Sequence, residues 1–308
     1  LPGGSLKTTL AKIAGGGLTE SPFPEKEVEI IRDDLRKILV QEGFGDGLPK
    51  EGDRVQSTEV RLVQALLKAF EDPDHYFCEW WSRGVWLGSP ERPLPRTPAL
   101  YERKTKWPLK DDSTQLHGDW RTNYSSVREH EAQVEKQYDD EVKEGLMERL
   151  TLGEALERYG KVLVIAATGA IAKKGSGPGG DIRVIFDGTN GVYLNLGIRI
   201  RDQVRFPTFC DIKAVLTELA TESGVHWSLL FDVSKAHRRV PVEENEWGRL
   251  ACQVKGSAAT TAQARRSASK RKGLPEPLRR KDFSAVELAE DVYLNKVGTL
   301  GVSSAGYW

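Results

Sequence analysis

The apolar run Ser228-Leu-Leu-Phe231 leads into one carboxylate, Asp232, and the residues after it, Val233-Ser234-Lys235-Ala236-His237-Arg238-Arg239, form a short basic stretch with turn character. A strand that carries a carboxylate to the edge of a tight turn suits metal-dependent phosphoryl transfer. The strand fixes the charge, and backbone N–H groups of the turn face an anion beside the metal. The same pattern fits an Asp that caps a turn or the next helix, so Asp232 takes its meaning from the cations around it. Three basic elements precede it: the pair Lys173 and Lys174, Arg183 on the following apolar run, and the group Arg199, Arg201 and Arg205. The lysine pair opens the Gly-rich stretch Lys173-Lys-Gly-Ser-Gly-Pro-Gly-Gly180, which reads either as a solvated turn or as a hairpin folding over a triphosphate. In the second case Arg183 supplies a planar fork and lysine a mobile point charge. No Gly-Lys-Ser/Thr opens a helix here, so the stretch is not a Walker A loop.

These residues need elements to position them. Val28, Ile31, Leu35, Ile38 and Leu39 recur at helical spacing with Gly43 as a stop, and Val60, Val63, Leu66, Leu67 and Phe70 repeat the pattern, which predicts two amphipathic helices. Ser126 and Glu129 have the spacing of a capping box and predict a long polar helix to about Leu150. Thr151 and Glu154 repeat the box for a shorter helix ended by Gly160. Beyond Lys161 the runs 162–167, 182–186, 227–233 and 249–254 read as strands, with a helix starting near Thr208. Helices and strands mix without strict alternation. This predicts an α+β fold, a mostly antiparallel sheet with helices on one face, preceded by a helical N-terminal region.

Residues 1–24 are rich in Gly, Pro, Ser and Thr and read as a flexible lead. The stretch 76–107 holds Trp80, Trp81, Trp86 and Trp107 among prolines and arginines, a pattern of a loop-rich minor core or of rings that stack on bases. His75, His117 and His130 stand alone, without a second ligand at metal spacing, and read as surface or cap residues. Over 255–281 nine Lys and Arg face the single acid Glu276, which predicts a disordered basic insertion able to hold a phosphate backbone without sequence preference.

The 45 Lys and Arg balance the 45 Asp and Glu, so no global field attracts a polyanion and local charge must do so. Three separated cysteines, Cys78, Cys210 and Cys252, indicate neither a disulfide framework nor a zinc knuckle and fit a reducing, intracellular setting, cytoplasmic or nuclear. No run approaches the roughly 18 apolar residues of a membrane span, so no membrane is expected as a partner. A start at Leu1 and an end at Gly-Tyr-Trp308 suggest a piece of a longer reading frame.

Taken in order, Glu141-Val-Lys-Glu-Gly-Leu-Met147, Lys173-Lys174, Arg183-Val-Ile-Phe-Asp187, Asn195, Phe231-Asp232-Val-Ser-Lys-Ala236 and Val292-Tyr-Leu-Asn-Lys-Val-Gly-Thr-Leu-Gly301-Val-Ser-Ser-Ala305 resemble the fingers and first palm motifs of retroelement reverse transcriptases, gypsy-like and DIRS-like elements in particular. The resemblance covers about residues 135–308 apart from the basic insertion. It implies an incomplete fingers and palm: a lead at 1–24, a helical and Trp-rich region at 25–125, fingers and the first part of the palm at 126–254, the insertion at 255–281 and a second palm motif at 282–308. Asp232 falls on the aspartate that binds the catalytic Mg²⁺ ions, with the Val233 carbonyl as a neighbouring ligand. Ser234, Lys235 and Ala236 would offer N–H groups to the phosphates of an incoming deoxynucleotide, and Lys173 or Lys174 with Arg183 would hold its triphosphate. Gly301 matches the small residue that lets the chain approach the templating base pair. The implied partners are an RNA or DNA template-primer and deoxynucleotides.

Two departures stand out. His237 replaces the Tyr or Phe whose ring excludes a ribose 2′-hydroxyl, and no Tyr/Phe-x-Asp-Asp follows Asp232. Two divalent ions need at least a second carboxylate, so the 308 residues are expected to be a fragment without polymerase activity of its own. The alternatives are a non-catalytic nucleic-acid-binding module and a helical interaction protein that uses the Trp-rich region.

Overall fold

Amphipathic spacing produces helices near the N-terminus at the predicted places. Helix α1 spans Glu25–Gln41 and α2 spans Val60–Ala69. Gly43, at φ +87°, ends the first: its positive φ lets the Phe44 N–H return to the Leu39 carbonyl at 2.7 Å. Leu39, Leu62 and Ala65 are buried together with Leu35, Phe44 and Leu66 packed against them, a small core of its own. Helix α3, His75–Arg83, follows, and His75 bonds the Asp72 carbonyl through Nδ1 at 2.9 Å.

The structure is a computed structural model that describes residues 11, 15, 25–48, 59–89, 91–95, 102–103, 120–173, 175, 180–198, 200, 202–203, 207–221, 233, 235–270 and 278–306. It divides into two units, Leu1–Glu79 and Trp80–Trp308. Most of the predicted flexible lead, His117, Trp107, most of the strand at 227–233 and Arg199, Arg201 and Arg205 lie outside the described residues.

In the second unit α4, Ser125–Glu129, and α5, Glu131–Lys143, precede β1, Met147–Thr151, and α6, Leu152–Tyr159. Strands β2, Ile165–Ala166, and β3, Thr168–Ala172, are followed by β4, Ile182–Phe186. Helix α7 spans Phe209–Leu219, and β5 is Ala251–Cys252. Helix α8, Ala258–Lys270, and β6, Asp291–Asn295, follow. A four-stranded sheet has the order β1-β6-β5-β2. Strand β1 pairs antiparallel with β6 from Met147 opposite Asn295 to Thr151 opposite Asp291, β6 pairs antiparallel with β5, and only β5 and β2 run parallel. Strands β3 and β4 form a separate antiparallel hairpin, Thr168 opposite Phe186 and Ala172 opposite Ile182. The architecture is α+β with a mostly antiparallel sheet. Val134 and Tyr138 of α5, Leu152 and Leu156 of α6, and Val292 and Leu294 of β6 share one core with Trp120 and Trp247.

Local chemistry set two helix starts as predicted. Thr151 and Glu154 form the capping box of α6, which ends at Gly160 with φ +52°, and Thr208 with Asp211 caps α7. Two other expectations need correction. The Ser126–Glu129 box does not form, because Ser126 Oγ accepts the Ala170 N–H of β3 at 3.1 Å instead, and the helix begins after Tyr124. Nor does the helix reach Leu150: it stops at Lys143, Gly145 turns the chain at φ +73°, and Met147 enters the sheet. Five residue pairs with β6 satisfy the backbone and bury Met147, which outweighs the helical spacing of Leu146 and Leu150.

The predicted disordered insertion at 255–281 is also corrected over its first half, since α8 is an ordered helix with Ala258, Ala259 and Ala262 buried. Glu290, more than thirty residues away, accepts the Ser257 N–H at 2.8 Å, the Ser257 hydroxyl at 2.7 Å and the Ala258 N–H at 3.1 Å. A carboxylate on orphan N–H groups stabilises a helix start. Gly256 leaves room for it, because an added Cβ would stand 2.6 Å from Glu290 Oε2. In the Trp-rich stretch, Trp80 and Trp86 pack edge to face at 5.3 Å, Arg92 lies over Trp86 at 4.0 Å, and Trp81 Nε1 donates to the Arg239 carbonyl at 2.8 Å. No helix among the described residues is long and apolar enough to cross a membrane.

Candidate functional site

Strand β4, helix α5, the 233–238 segment and the loop after β6 enclose a cavity of about 740 Å³. Lys173, Arg183, Val233, Lys235, Ala236 and His237 all line it, although they come from separate stretches of chain. Glycine permits the assembly at two points. A Cβ on Gly298 would stand 2.7 Å from the His237 carbonyl, and the Gly298 N–H bonds the Val240 carbonyl at 2.8 Å, so residues 237–240 lie directly on the loop. Gly301, at φ +106°, passes so close to β4 that a Cβ would collide with the Phe186 carbonyl, while the Phe186 N–H bonds the Leu300 carbonyl at 3.1 Å. Gly301 is therefore a buttress behind the cavity rather than part of its lining. Asn195 holds it there: its Nδ2 donates to the Gly301 carbonyl at 2.7 Å and its Oδ1 accepts the Ser303 N–H at 2.8 Å.

The basic turn takes its shape from Lys235, which adopts a left-handed conformation at φ +52° and starts a helical turn over Ala236–Arg239. The Arg238 N–H closes that turn on the Lys235 carbonyl at 2.8 Å. Arg238 then points into the floor, where it pairs with Glu141 of α5 and donates to Asn295 Oδ1 at 2.6 Å. Asn295 passes the link on through Nδ2 to the Leu250 carbonyl at 2.9 Å, and Gln137 Nε2 donates to Glu141 Oε1 at 3.0 Å. The Arg238 and Glu141 side chains are only 11% and 9% exposed, so their attraction is little screened by water. The rim differs. Lys173 pairs with Asp181 at 3.3 Å and Lys235 with Glu144 at 3.1 Å, all four side chains at least half exposed. Arg183 is exposed as well and makes no ion pair among the described residues.

Two buried groups near the floor are chemically quiet. Burial pushes the Cys252 thiol up to about 12 and raises the Tyr138 phenol well above its usual value, so both stay protonated at neutral pH. At the far end of β4, Asp187 behaves oppositely: burial pushes its carboxyl up, but hydrogen bonds from the Tyr124 hydroxyl and the Asn190 and Thr189 N–H groups outweigh this and hold it below the usual range.

Asp232, Lys174 and Ser234 lie outside the described residues. Among the described residues no group of three or more His, Cys, Asp or Glu side chains stands together, and the cavity's own carboxylate, Glu141, is already satisfied by Arg238 and Gln137. The described residues alone therefore do not make a divalent-cation site. Sequence reasoning did not assign Glu141, Arg238 or Asn295 to the site. A faint signal exists for Glu141, which falls at the buried face set by Val134 and Tyr138, an unusual place for a charge.

No protein-family model matches the chain, and no curated protein matches it.

Proposed function

We propose that the chain carries the fingers and first palm segment of a retroelement-type reverse transcriptase, and that its cavity receives the triphosphate of a deoxynucleoside triphosphate. One observation carries this reading: Lys173, Arg183, Val233, Lys235, Ala236 and His237, distant in sequence, line a single cavity. Cations on its exposed rim can exchange a carboxylate partner for phosphate oxygens at little cost, since exposed ion pairs are weak. Arg183 offers the bidentate fork and the lysines mobile charge. The turn that begins at Lys235 would offer the N–H of Ala236 to the same phosphates. Asp232, with the Val233 carbonyl, would hold Mg²⁺, which when bound neutralises and aligns the phosphates. Phosphoryl transfer depends on positioning and on cations rather than covalent help from protein, but no Tyr/Phe-x-Asp-Asp follows Asp232 within these 308 residues to supply the further carboxylates that two metal ions require. They therefore bind the nucleotide without extending a primer. His237 takes the position of the ring that excludes a 2′-hydroxyl, and an imidazole can hydrogen-bond that hydroxyl, so ribonucleotides are rejected less well.

Calorimetric titration of a deoxynucleoside triphosphate in MgCl₂ tests the reading. Arg183→Gln is expected to weaken binding about tenfold, the worth of one charge-assisted contact; equal affinity of the variant and the parent chain would refute it. Primer extension that disappears on Asp232→Ala would overturn the claim that the missing carboxylate disables these residues. A non-catalytic nucleic-acid-binding module remains the second reading, favoured by the cations themselves. It requires RNA binding that is steeply salt-dependent and indifferent to Mg²⁺ and to Asp232→Ala.

A further inference from the structure

A second basic trough, of about 420 Å³, lies where the 121–123 stretch, α4, α5 and the turn into α8 meet. Arg121, Arg128 and Lys255 line it against one carboxylate, Glu131. Its base is rigid. The Arg121 N–H bonds the Ile165 carbonyl at 3.0 Å, Asn123 Nδ2 donates to the Gln253 carbonyl at 2.7 Å, and Asn123 Oδ1 accepts the Thr168 N–H at 3.0 Å. Lys255 is held over the trough by Glu135 at 2.8 Å and Glu131 at 3.4 Å. The arginines are not neutralised in this way, and neither forms an ion pair among the described residues. Arg121 is moreover pinned in place. Its stem fills the space that a side chain at Gly191 would take, since an added Cβ there would collide with its Nε, Cγ and Cδ, and Gly191 sits at φ +83°. The Arg121 Nε is buried and has no hydrogen-bond partner among the described residues.

We infer that this trough binds the phosphate backbone of a single-stranded polynucleotide. Three walls each contribute one cation, Arg121 from the stretch before α4, Arg128 from α4 itself and Lys255 from the β5–α8 turn. Charges distributed along a trough suit a chain of phosphates, whereas a lone phosphate is best held by donors converging on one point. The trough shares no lining residue with the cavity of Arg183 and Lys173, so the inference does not depend on what that cavity binds.

The test is fluorescence anisotropy of a 5′-fluorescein oligouridylate of about 12 nucleotides, within the span of known single-strand sites, titrated between about 50 and 200 mM salt, the range over which phosphate contacts show their dependence. Arg121→Gln with Arg128→Gln is expected to weaken binding about tenfold and to flatten the slope of log K against log salt by about 1.4, two contacts at about 0.7 each. Arg128→Gln alone, at an exposed position, is expected to flatten it by about 0.7 even if the Arg121 variant folds poorly. Unchanged affinity and slope in the Arg128 variant and in a folded double variant would overturn the inference. So would loss of oligonucleotide binding in Arg183→Gln with retention in the trough variants, which would place the polymer in the first cavity. Inorganic tripolyphosphate that displaces the oligonucleotide at matched phosphate concentration would reduce the trough to a site for small polyanions and would also overturn the claim. Retained nucleotide-triphosphate binding in the trough variants would show that the two sites stand or fall separately.

Discussion

The floor and the rim of the first cavity use the same side-chain types in opposite ways. On the floor, Arg238 and Glu141 are almost wholly buried, Arg238 also donating to Asn295 and Glu141 accepting from Gln137, and the pair ties α5 to the basic turn and to β6. On the rim, Lys173 and Lys235 touch Asp181 and Glu144 in water. A buried pair has lost its hydration and depends on its partner, so removing either member strands a charge. An exposed pair can dissolve at almost no cost. The contrast separates cations that build the cavity from cations that can meet a ligand in it. Charge counting alone would treat Lys235 and Arg238 as equals.

The largest expected effect tests the floor. Arg238→Met or Glu141→Gln should each destabilise the fold by about 3 to 5 kcal/mol in urea denaturation, and Arg238→Met combined with Glu141→Leu should recover most of that loss. A single-variant cost under about 1 kcal/mol would mean that the floor behaves like a surface pair. Next comes the buttress. Gly301→Ala forces a side chain against the Phe186 carbonyl at a positive φ, and a loss of about 2 kcal/mol or more is expected from thermal or chemical unfolding. Acid titration follows. The Asp187 carboxyl is lower in the folded chain than in the unfolded one, so its contribution is fully present above about pH 4, the unfolded value, and is lost as pH falls through the lower folded value. Asp187→Asn should flatten the stability profile below about pH 4; an unaltered profile would remove Asp187 from the acid-sensitive set. The rim predicts the smallest change in stability. Lys173→Ala and Lys235→Ala should each shift it by no more than about 0.5 kcal/mol while weakening triphosphate binding, and a large loss of stability would erase the distinction between rim and floor.

Much of this was readable along the chain wherever one short stretch decides its own conformation. The helical spacing at Val28 to Leu39, the Thr151–Glu154 box and the stop at Gly160 depend on neighbours within a few residues, and the structure has them. The reading failed where a distant partner competes. Ser126 has the right spacing to cap its own helix, yet Ala170, 44 residues on, claims its hydroxyl. Met147 to Leu150 keep helical spacing, yet β6 supplies a strand partner almost 150 residues later. The basic insertion has a disordered composition, yet Glu290 caps its first helix from beyond its end. The candidate site divides in the same way. Lys173, Arg183 and the 233–237 turn are conspicuous by type, whereas Arg238 looks like one more surface cation until Glu141, 97 residues away, is placed beside it. Arg121 and Arg128 gave no signal at all, since their role comes from the trough around them.

The cap on α8 has a consequence for how this chain can vary. Glu290, just before β6, grips the first turn of the helix, Gln263 Nε2 bonds the Trp120 carbonyl at 2.9 Å and Arg265 pairs with Asp282 at 3.5 Å, so the helix is held by partners whose places do not depend on how many residues separate Lys270 from Leu278. Extra length there need not propagate into the sheet: a short Gly-Ser insertion after residue 272 should leave the melting temperature within about 2 °C, less than 1 kcal/mol would shift it in a domain of this size. A lineage can lengthen, recode or decorate that stretch while the four strands beneath it keep their pairing.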